Sequence, residues 1–226
     1  MRHIVSVAVW RRLVDGIRPL RVRLFMADTQ TIPYAGLRPP TTTRSAWNQV
    51  LVEGQPAAVP LAVDCTGLSR LDAGFLAALG PAEQERRRRG GSLRIIAVDD
   101  HQRTLLRLLG HDRLLTAVSG SLAQDLSCQV SCTETEAIVR IQTSALQNER
   151  LSLPASYAWI RCLAVERLII DLEQLPHINS VLVAWILQLG QAAKPAVITL
   201  RNVNRQVNIQ LTQLRLHHLL TVESIP

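Results

Sequence analysis

The sequence predicts an α/β protein in which one structural unit is used twice, and three observations lead to this prediction. A pattern in DCTGLSRLDAGFLAAL recurs 107 positions later in DLEQLPHINSVLVAWI. In both copies an apolar run precedes the first acid, and apolar residues at helical spacing follow it. The matched pairs are Asp64 and Asp171, Leu68 and Leu175, Leu71 and Ile178, Asp72 and Asn179, Leu76 and Val183, and Leu79 and Ile186.

The elements before the acid are predicted to be strands and helices in the same order in both copies. AVPLAVD and VERLIID are short apolar runs, which is typical of strands buried on both faces. Upstream of them, RVRLFMA and EAIVRIQ indicate a further strand in each copy. TTTRSAWNQVLVEG and SLPASYAWIRCLA indicate the helices that join these strands.

A helix is predicted to begin shortly after the acid, with Asp72 and Asn179 as its N-cap candidates. Trp185 lies on the second of these helices and is expected in the core, or at an interface if it is exposed. A strand follows in SLRIIAV and PAVITLRNV, and a last helix follows in RTLLRLLGHDRLLT and NIQLTQLRLHHLLT. Here the spacing between the copies shortens to 105.

These elements divide the chain into two domains, at residues 21–122 and 130–226, each of ordinary domain size. Their join is expected in SGSLAQDLSCQ, where Ser and Gly cluster. Residues 1–20 have no counterpart and form an N-terminal extension that a strand, a helix or a disordered lead would fit equally. Each domain is expected to be a mixed sheet with helices packed mainly on one face. The sequence leaves open whether the domains pair as an intramolecular pseudo-dimer or the chain forms a homodimer.

The chain resembles the STAS domain in the order of these features. The order is strand, Asp, Leu, Asp or Asn, helix, Gly, strand, helix and LLxLxGxDRLL. The resemblance covers about residues 60–115 and 137–222. STAS domains include bacterial anti-sigma factor antagonists and the cytoplasmic tails of sulfate transporters. The resemblance implies a non-catalytic protein-interaction module with no cofactor.

In that family a partner kinase phosphorylates the second Ser of an Asp-Ser-Ser-Gly loop at the helix start. This position falls on Gly74 and Val181, neither of which can be phosphorylated. Ser180 stands one residue earlier, which turns its side chain by about 100° on a helix. It is interpreted as a first-turn residue bonded to the backbone, with a shifted phosphorylation site as the alternative. The candidate partner-binding loops comprise Asp64, Asp72, Ala73, Gly74, Asp171, Asn179, Ser180 and Val181.

Three functions are compatible with these residues. The resemblance favours a constitutive or scaffolding binder of an anti-sigma factor or GHKL-type kinase. A STAS accessory subunit of an ABC transporter ATPase is the alternative within the same fold. An arginine-rich nucleic-acid-binding protein is the alternative from another class, because the formal net charge is +7.

The distribution of charge argues against nucleic-acid binding. Residues 1–126 hold 17 Arg against 11 acids, and residues 127–226 hold 8 basic residues against 7 acids. The densest run, Arg86–Arg89, is expected to be a solvated helix terminus, where cations also interact favourably with the helix dipole. No groove-reading helix is recognisable in the sequence.

Other functional classes lack a sequence signal. The six His include no HExxH, and no phosphate-binding glycine loop occurs, so no catalytic or metal site is predicted. His217 and His218 are interpreted as surface helix residues. Cys65, Cys128, Cys132 and Cys162 are expected to be reduced thiols. The longest apolar run, VLVAWIL, is too short to span a membrane, and a cytoplasmic protein without a secretory signal is predicted.

Overall fold

The fold is described from a computed structural model, which covers residues 29–39, 41–56, 58–115, 127–218 and 220–224. The first half, residues 29–115, contains a parallel sheet with strand order β1-β2-β4. Its elements are β1 (Gln30–Pro33), α1 (Tyr34–Leu37), α2 (Arg44–Val52), β2 (Leu61–Asp64), β3 (Leu71–Asp72), α3 (Ala73–Arg88), β4 (Leu93–Ile96), α4 (Asp100–Leu108) and the 3₁₀ helix Asp112–Leu114. A parallel bridge between Ile95 and Leu115 follows.

The second half, residues 127–224, contains a five-stranded sheet with order β10-β9-β8-β6-β5. All neighbours are parallel except β5, which runs antiparallel to β6. Its strands are β5 (Cys128–Cys132), β6 (Glu136–Ile141), β7 (Leu163–Ala164), β8 (Arg167–Asp171), β9 (Val197–Val203) and β10 (Thr221–Ser224). Its helices are α5 (Ala155–Ala158), α6 (Ser180–Ala192), α7 (Arg205–Gln213) and the 3₁₀ helices Thr143–Gln147, Glu149–Ser152, Trp159–Cys162 and Leu216–His218.

Most of the predicted elements are present, and the mixed α/β class is confirmed. Strands occur within AVPLAVD, VERLIID, SLRIIAV, PAVITLRNV and EAIVRIQ, and α2 lies within TTTRSAWNQVLVEG. The single helix predicted in SLPASYAWIRCLA is wrong, because this segment forms α5, a 3₁₀ turn and the strand β7. Strands β1 and β5 were not predicted. The strand predicted in RVRLFMA, residues 1–20 and most of the expected join lie outside the described residues.

The two halves are in direct contact. Strand β3 of the first half pairs in parallel with β7 of the second half, with Leu71 opposite Leu163 and Asp72 opposite Ala164. The Arg70 guanidinium donates hydrogen bonds to the carbonyls of Arg161 and Lys194, each at 3.2 Å. Helices α3 and α4 both contact β5, and α4 also contacts the 3₁₀ turn at 159–162. The buried apolar residues of both halves therefore form one continuous core.

The arginine run at the end of α3 is not uniformly solvated, and this corrects the prediction for Arg86. Its side chain is completely buried, and its guanidinium donates to the carbonyls of Leu51 at 3.0 Å, Pro56 at 3.2 Å and Ser92 at 3.2 Å. A further bond goes to the Val59 carbonyl. Desolvation lowers the pKa of Arg86. The guanidinium therefore fixes the chain between α2 and β2.

The other arginines of this run are exposed and lie beside acids of the same helix. Arg87 forms an ion pair with Glu83, and Arg88 and Arg89 form ion pairs with Glu85. The expectation of a solvated terminus therefore holds for these three residues. Their charge is partly neutralised, which weakens the case for a nucleic-acid surface.

Candidate partner-binding site

The two aspartates of the repeated pattern end the central strands of the two sheets. Asp64 is the last residue of β2, and its Oδ1 accepts hydrogen bonds from the Thr66 amide at 2.8 Å and the Thr66 hydroxyl at 2.6 Å. These two bonds hold the pKa of Asp64 below its ordinary value. Asp64 thus shapes the turn after the strand.

Asp171 is the last residue of β8 and is completely buried. Its carboxylate accepts from the Glu173 amide at 3.1 Å, the Asn202 side chain at 3.0 Å and the Arg201 guanidinium at 3.1 Å. Burial would raise the pKa of Asp171, but the bonds from Asn202, Glu173 and Arg201 outweigh it and lower the pKa. Both carboxylates therefore stabilise the loops that lead to the helix starts.

The residues predicted to cap the next helices do so. Asp72 Oδ1 accepts from the Phe75 amide at 3.1 Å, and Asn179 Oδ1 accepts from the Leu182 amide at 2.8 Å. Asp72 Oδ1 also accepts from Trp47 Nε1 at 3.1 Å. Each cap satisfies one of the N–H groups that the first helical turn leaves without a backbone partner.

Further hydrogen bonds recur between the halves at the spacings found in the sequence. The Cys65 amide donates to Ile96 O at 3.1 Å, and the Leu172 amide donates to Arg201 O at 3.0 Å. A side-chain amide also bonds the loop before the helix at 2.7 Å in both halves, from Gln102 to Leu68 O and from Asn204 to Leu175 O. The acceptors, Leu68 and Leu175, are matched residues, whereas the donors occupy different positions of their helices, so the two loops have similar support from different side chains.

Unusual backbone conformations recur at the same spacing of 105. Ala97 and Asn202, which immediately follow matched strand residues, have positive φ values of 56° and 59°. Gly110 and Arg215, each in the turn after the last helix of its half, have φ values of 75° and 55°. A positive φ is uncommon outside glycine, so two coincidences of this kind are an independent sign of similar backbones.

The helix start of the first half is closed. Ala73 and Gly74 are buried, and a Cβ atom added to Gly74 would lie 1.9 Å from the Thr42 carbonyl oxygen. The rings of Tyr34, Trp47 and Phe75 pack beside it with centroids 5.0 to 5.1 Å apart. Strand β7 of the second half pairs with β3 immediately before this helix. Because Ala73 and Gly74 are buried, a protein partner has no access to either residue in this conformation.

The helix start of the second half is open. Ser180 and Ala184 are exposed, and Val181 is 39% exposed. A groove of about 410 Å³ lies between α6 and α7 and has no charged side chain among its lining residues. The lining residues are Ile178, Asn179, Ser180, Val183, Ala184, Leu187, Gln210, Gln213 and Leu214.

The matching positions of the first half are more deeply buried and more apolar. Leu76 is 1% exposed, whereas its matched residue Val183 is half-buried. Ala73 is also 1% exposed, whereas its matched residue Ser180 is exposed. Leu105 and Leu108 stand where the second half has Gln210 and Gln213. These positions of the first half have the composition of a permanent interior, whereas the groove between α6 and α7 combines apolar and neutral polar groups, as reversible interfaces do.

Comparison with known families assigns part of the chain. Residues 42–116 match the family model described as Mlab, STAS domain. This part of the chain is therefore similar to the STAS domain. The match includes Asp64, Asp72, Ala73 and Gly74, and residues 127–224 lie beyond it. Searches of curated proteins and of solved structures gave no match for the chain.

The other candidate residues are a tryptophan, two histidines and four cysteines. Trp185 is 1% exposed and donates from Nε1 to Ser156 O at 3.3 Å, which confirms the core interpretation. His217 and His218 are exposed on a 3₁₀ helix. All four cysteines are free, with burial raising the pKa of Cys65, Cys132 and Cys162 to about 12, 12 and 11.

Two negative findings apply to the described ranges alone. Within them, His, Cys, Asp and Glu side chains form no group suited to a metal ion. Over the same ranges, every helix is too short or too polar to cross a bilayer.

Sequence reasoning did not find the groove between α6 and α7 or the closure of the first helix start. The sequence signal for the groove is the exchange of Leu105 and Leu108 for Gln210 and Gln213 at matched positions. No local signal marks the closure, because Thr42 and Leu163 are distant from Gly74 in sequence.

Proposed function

We propose that the chain is a non-catalytic binding protein made of two STAS-like domains, residues 21–122 and 130–226. The second domain docks a protein partner of a bacterial signalling pathway in the cytoplasm. The match of residues 42–116 supports this class, because STAS domains are generally binding modules without catalytic activity. The hydrogen bonds and positive φ values that recur at the spacings of 107 and 105 support a second copy of the fold.

The observation that carries this proposal is the difference in exposure between the two helix starts. Ala73 and Gly74 are buried, with Thr42 against Gly74, whereas Ser180 is exposed and lines an apolar groove and its neighbour Val181 is exposed beside it. One docking face is therefore used inside the chain, and the other is available to a partner. A chain of this design binds one partner rather than two.

Partner binding in this proposal is not switched at the family's phosphorylation position. Gly74 has no hydroxyl group and no space for one, and Val181 also lacks a hydroxyl. Ser180 is exposed in the first turn of α6 and remains the one hypothetical phosphorylation site among the candidate loop residues. Binding is therefore constitutive or regulated through the partner.

The resemblance to anti-sigma factor antagonists favours an anti-sigma factor or a GHKL-type kinase as the partner. Affinity purification of the tagged full-length chain from its native cell tests this, with Val181→Asp as the variant. Val197→Asp is the matched control, because Val197 is also exposed but begins β9, at the opposite end of the sheet from the start of α6. Val181→Asp is expected to lower recovery of the kinase-type partner at least about tenfold, as expected when a charge is buried at an interface.

The other results of this purification contradict the proposal in different ways. Equal recovery with Val181→Asp and Val197→Asp would exclude the start of α6 as the docking face. Recovery of an ABC transporter ATPase would favour the accessory-subunit function. Recovery that nuclease treatment abolishes would favour nucleic-acid binding.

A further inference from the structure

The backbone just before the second helix start is satisfied in an unusual way. The Ile178 amide donates to Gln210 Oε1 at 3.0 Å, and Gln210 Nε2 donates to the Ile178 carbonyl at 3.1 Å. One side-chain amide of α7 thus bonds both polar groups of one backbone residue. A neighbouring β-strand would make the same kind of bonds.

In the first half a strand stands at the matching position. Leu71, which lies 107 positions before Ile178, pairs in parallel with Leu163 of β7. Leu105 stands where the second half has Gln210 and is completely buried. Its apolar side chain cannot form hydrogen bonds to the backbone of Leu71. The first half therefore binds an extended segment at the place where the second half carries a glutamine cap.

We propose that the Ile178–Asn179 edge is a strand-docking site whose resident cap is Gln210. The incoming segment displaces Gln210, pairs in parallel with Ile178 and Asn179, and inserts an apolar side chain into the groove between α6 and α7. This proposal rests on the proposed function, because it specifies how the partner binds at the same face. The mode is β-augmentation, in which main-chain bonds provide affinity and side-chain pockets provide specificity.

The occupant is an extended apolar segment of a partner protein. β7 serves as its template, since Leu163 is 2% exposed against the first half and Ala164 follows as a small residue. The groove between α6 and α7 has a comparable apolar lining, formed by Val183, Leu187 and Leu214. Because no charged side chain lines this groove, binding is expected to change less than about twofold between about 50 and about 500 mM salt.

The first test measures the cap in the free full-length protein by hydrogen exchange. Gln210→Leu copies the residue of the first half and leaves the Ile178 amide without its acceptor, so the exchange of that amide is expected to accelerate at least about tenfold. Gln213→Leu is the control, because Gln213 lines the same groove without bonding Ile178. If the Ile178 amide of a folded Gln210→Leu protein exchanged at the unchanged rate, the role of Gln210 as a cap would be excluded. If Gln210→Leu does not fold, Gln210→Met replaces it, since a thioether cannot donate to the Ile178 carbonyl and is only a weak acceptor for the Ile178 amide.

The second test uses a blocked synthetic peptide of residues 158–165 with Cys162→Ser as the probe, followed by NMR at about 1 mM. The peptide is expected to shift the amides of Ile178, Asn179 and Val183. It should bind Gln210→Leu at least about fivefold more tightly than the wild type, because no cap has to be displaced. A peptide that also carries Leu163→Asp is expected not to bind.

Three results would overturn strand docking: shifts confined to other surfaces, equal tightening by Gln213→Leu, or binding of the Leu163→Asp peptide. Failure of this proposal is distinguishable from failure of the proposed function. A partner that is lost with Val181→Asp but is unaffected by Gln210→Leu supports the function and excludes the strand mode. A peptide that binds as expected, while no cellular partner depends on Val181, supports the strand mode alone.

Discussion

At the scale of single residues, long-range contacts give neighbouring identical side chains different roles. Arg86 and Arg87 are adjacent in an arginine run, yet Arg86 is completely buried and the Arg87 side chain is 57% exposed. Sequence reasoning treated the run as one solvated segment, because nothing local distinguishes its members. The distinction comes from the Leu51, Pro56, Val59 and Ser92 carbonyls, which the fold brings to one guanidinium.

We predict that Arg86→Leu destabilises the protein by about 3 kcal/mol or more, since several carbonyls would lose their donor and some would remain buried. Arg88→Leu is the matched control and should change the free energy of unfolding by less than about 0.5 kcal/mol, because the Arg88 side chain is 69% exposed and its ion pair with Glu85 is at the surface. Urea denaturation of both variants measures the difference. Similar effects at the two positions would contradict the role assigned to Arg86.

The N-caps behave differently from the arginines, because capping is a local interaction. Asp72 and Asn179 were predicted as caps from their place before an apolar periodic run, and both accept from the amide three residues later. The conclusion needs only the sequence within one turn of the helix. The helix start after the cap is closed in the first half and open in the second. This difference depends on residues far away in the chain.

At the scale of elements, prediction from the sequence succeeded or failed according to whether an element forms from its own residues or through pairing with a distant strand. Strands and long helices were predicted well where apolar runs or periodicity extend over a whole element. The helix predicted in SLPASYAWIRCLA failed because pairing of Leu163 and Ala164 with β3 gives this segment an extended end. The pairing partner, Leu71–Asp72, lies about ninety residues upstream, so its effect is not encoded in the segment itself.

The closure of the α3 start has a direct test, in which serine is introduced at position 74 and at the matched position 181. Gly74→Ser is expected to cost about 2 kcal/mol or more, because the new Cβ would lie 1.9 Å from the Thr42 carbonyl oxygen. Val181→Ser should change stability by less than about 1 kcal/mol, since its side chain is exposed. Thermal denaturation of the two variants provides the comparison. A well-tolerated serine at position 74 would mean that the α3 start is open.

At the scale of the whole molecule, the two halves share one core and are predicted to unfold together. Leu163 is 2% exposed and lies in β7, the strand that pairs with the first half. Leu163→Ala is expected to lower the free energy of unfolding by about 2 to 4 kcal/mol. The slowest-exchanging amides of α3 and α6 should lose protection by the same amount, as they would in one cooperative unit.

Hydrogen exchange followed by mass spectrometry reports on both helices in one experiment. Leu153→Ala is the control for the same chemical change in the second half, because Leu153 is 50% exposed. A loss of protection confined to α6 would indicate that the halves unfold independently. Separate denaturation steps would have the same meaning.

The sequence by itself determined most of the strands and long helices, the caps and the lack of a hydroxyl at Gly74 and Val181. These features depend on residue type and on spacing within one element, so they can be read locally. Tertiary structure alone decided that Arg86 is buried, that the first helix start is closed and that a glutamine caps the backbone at the second. The physical reason is that burial and hydrogen-bond partners are set by segments distant in the chain, which come together only when the core forms.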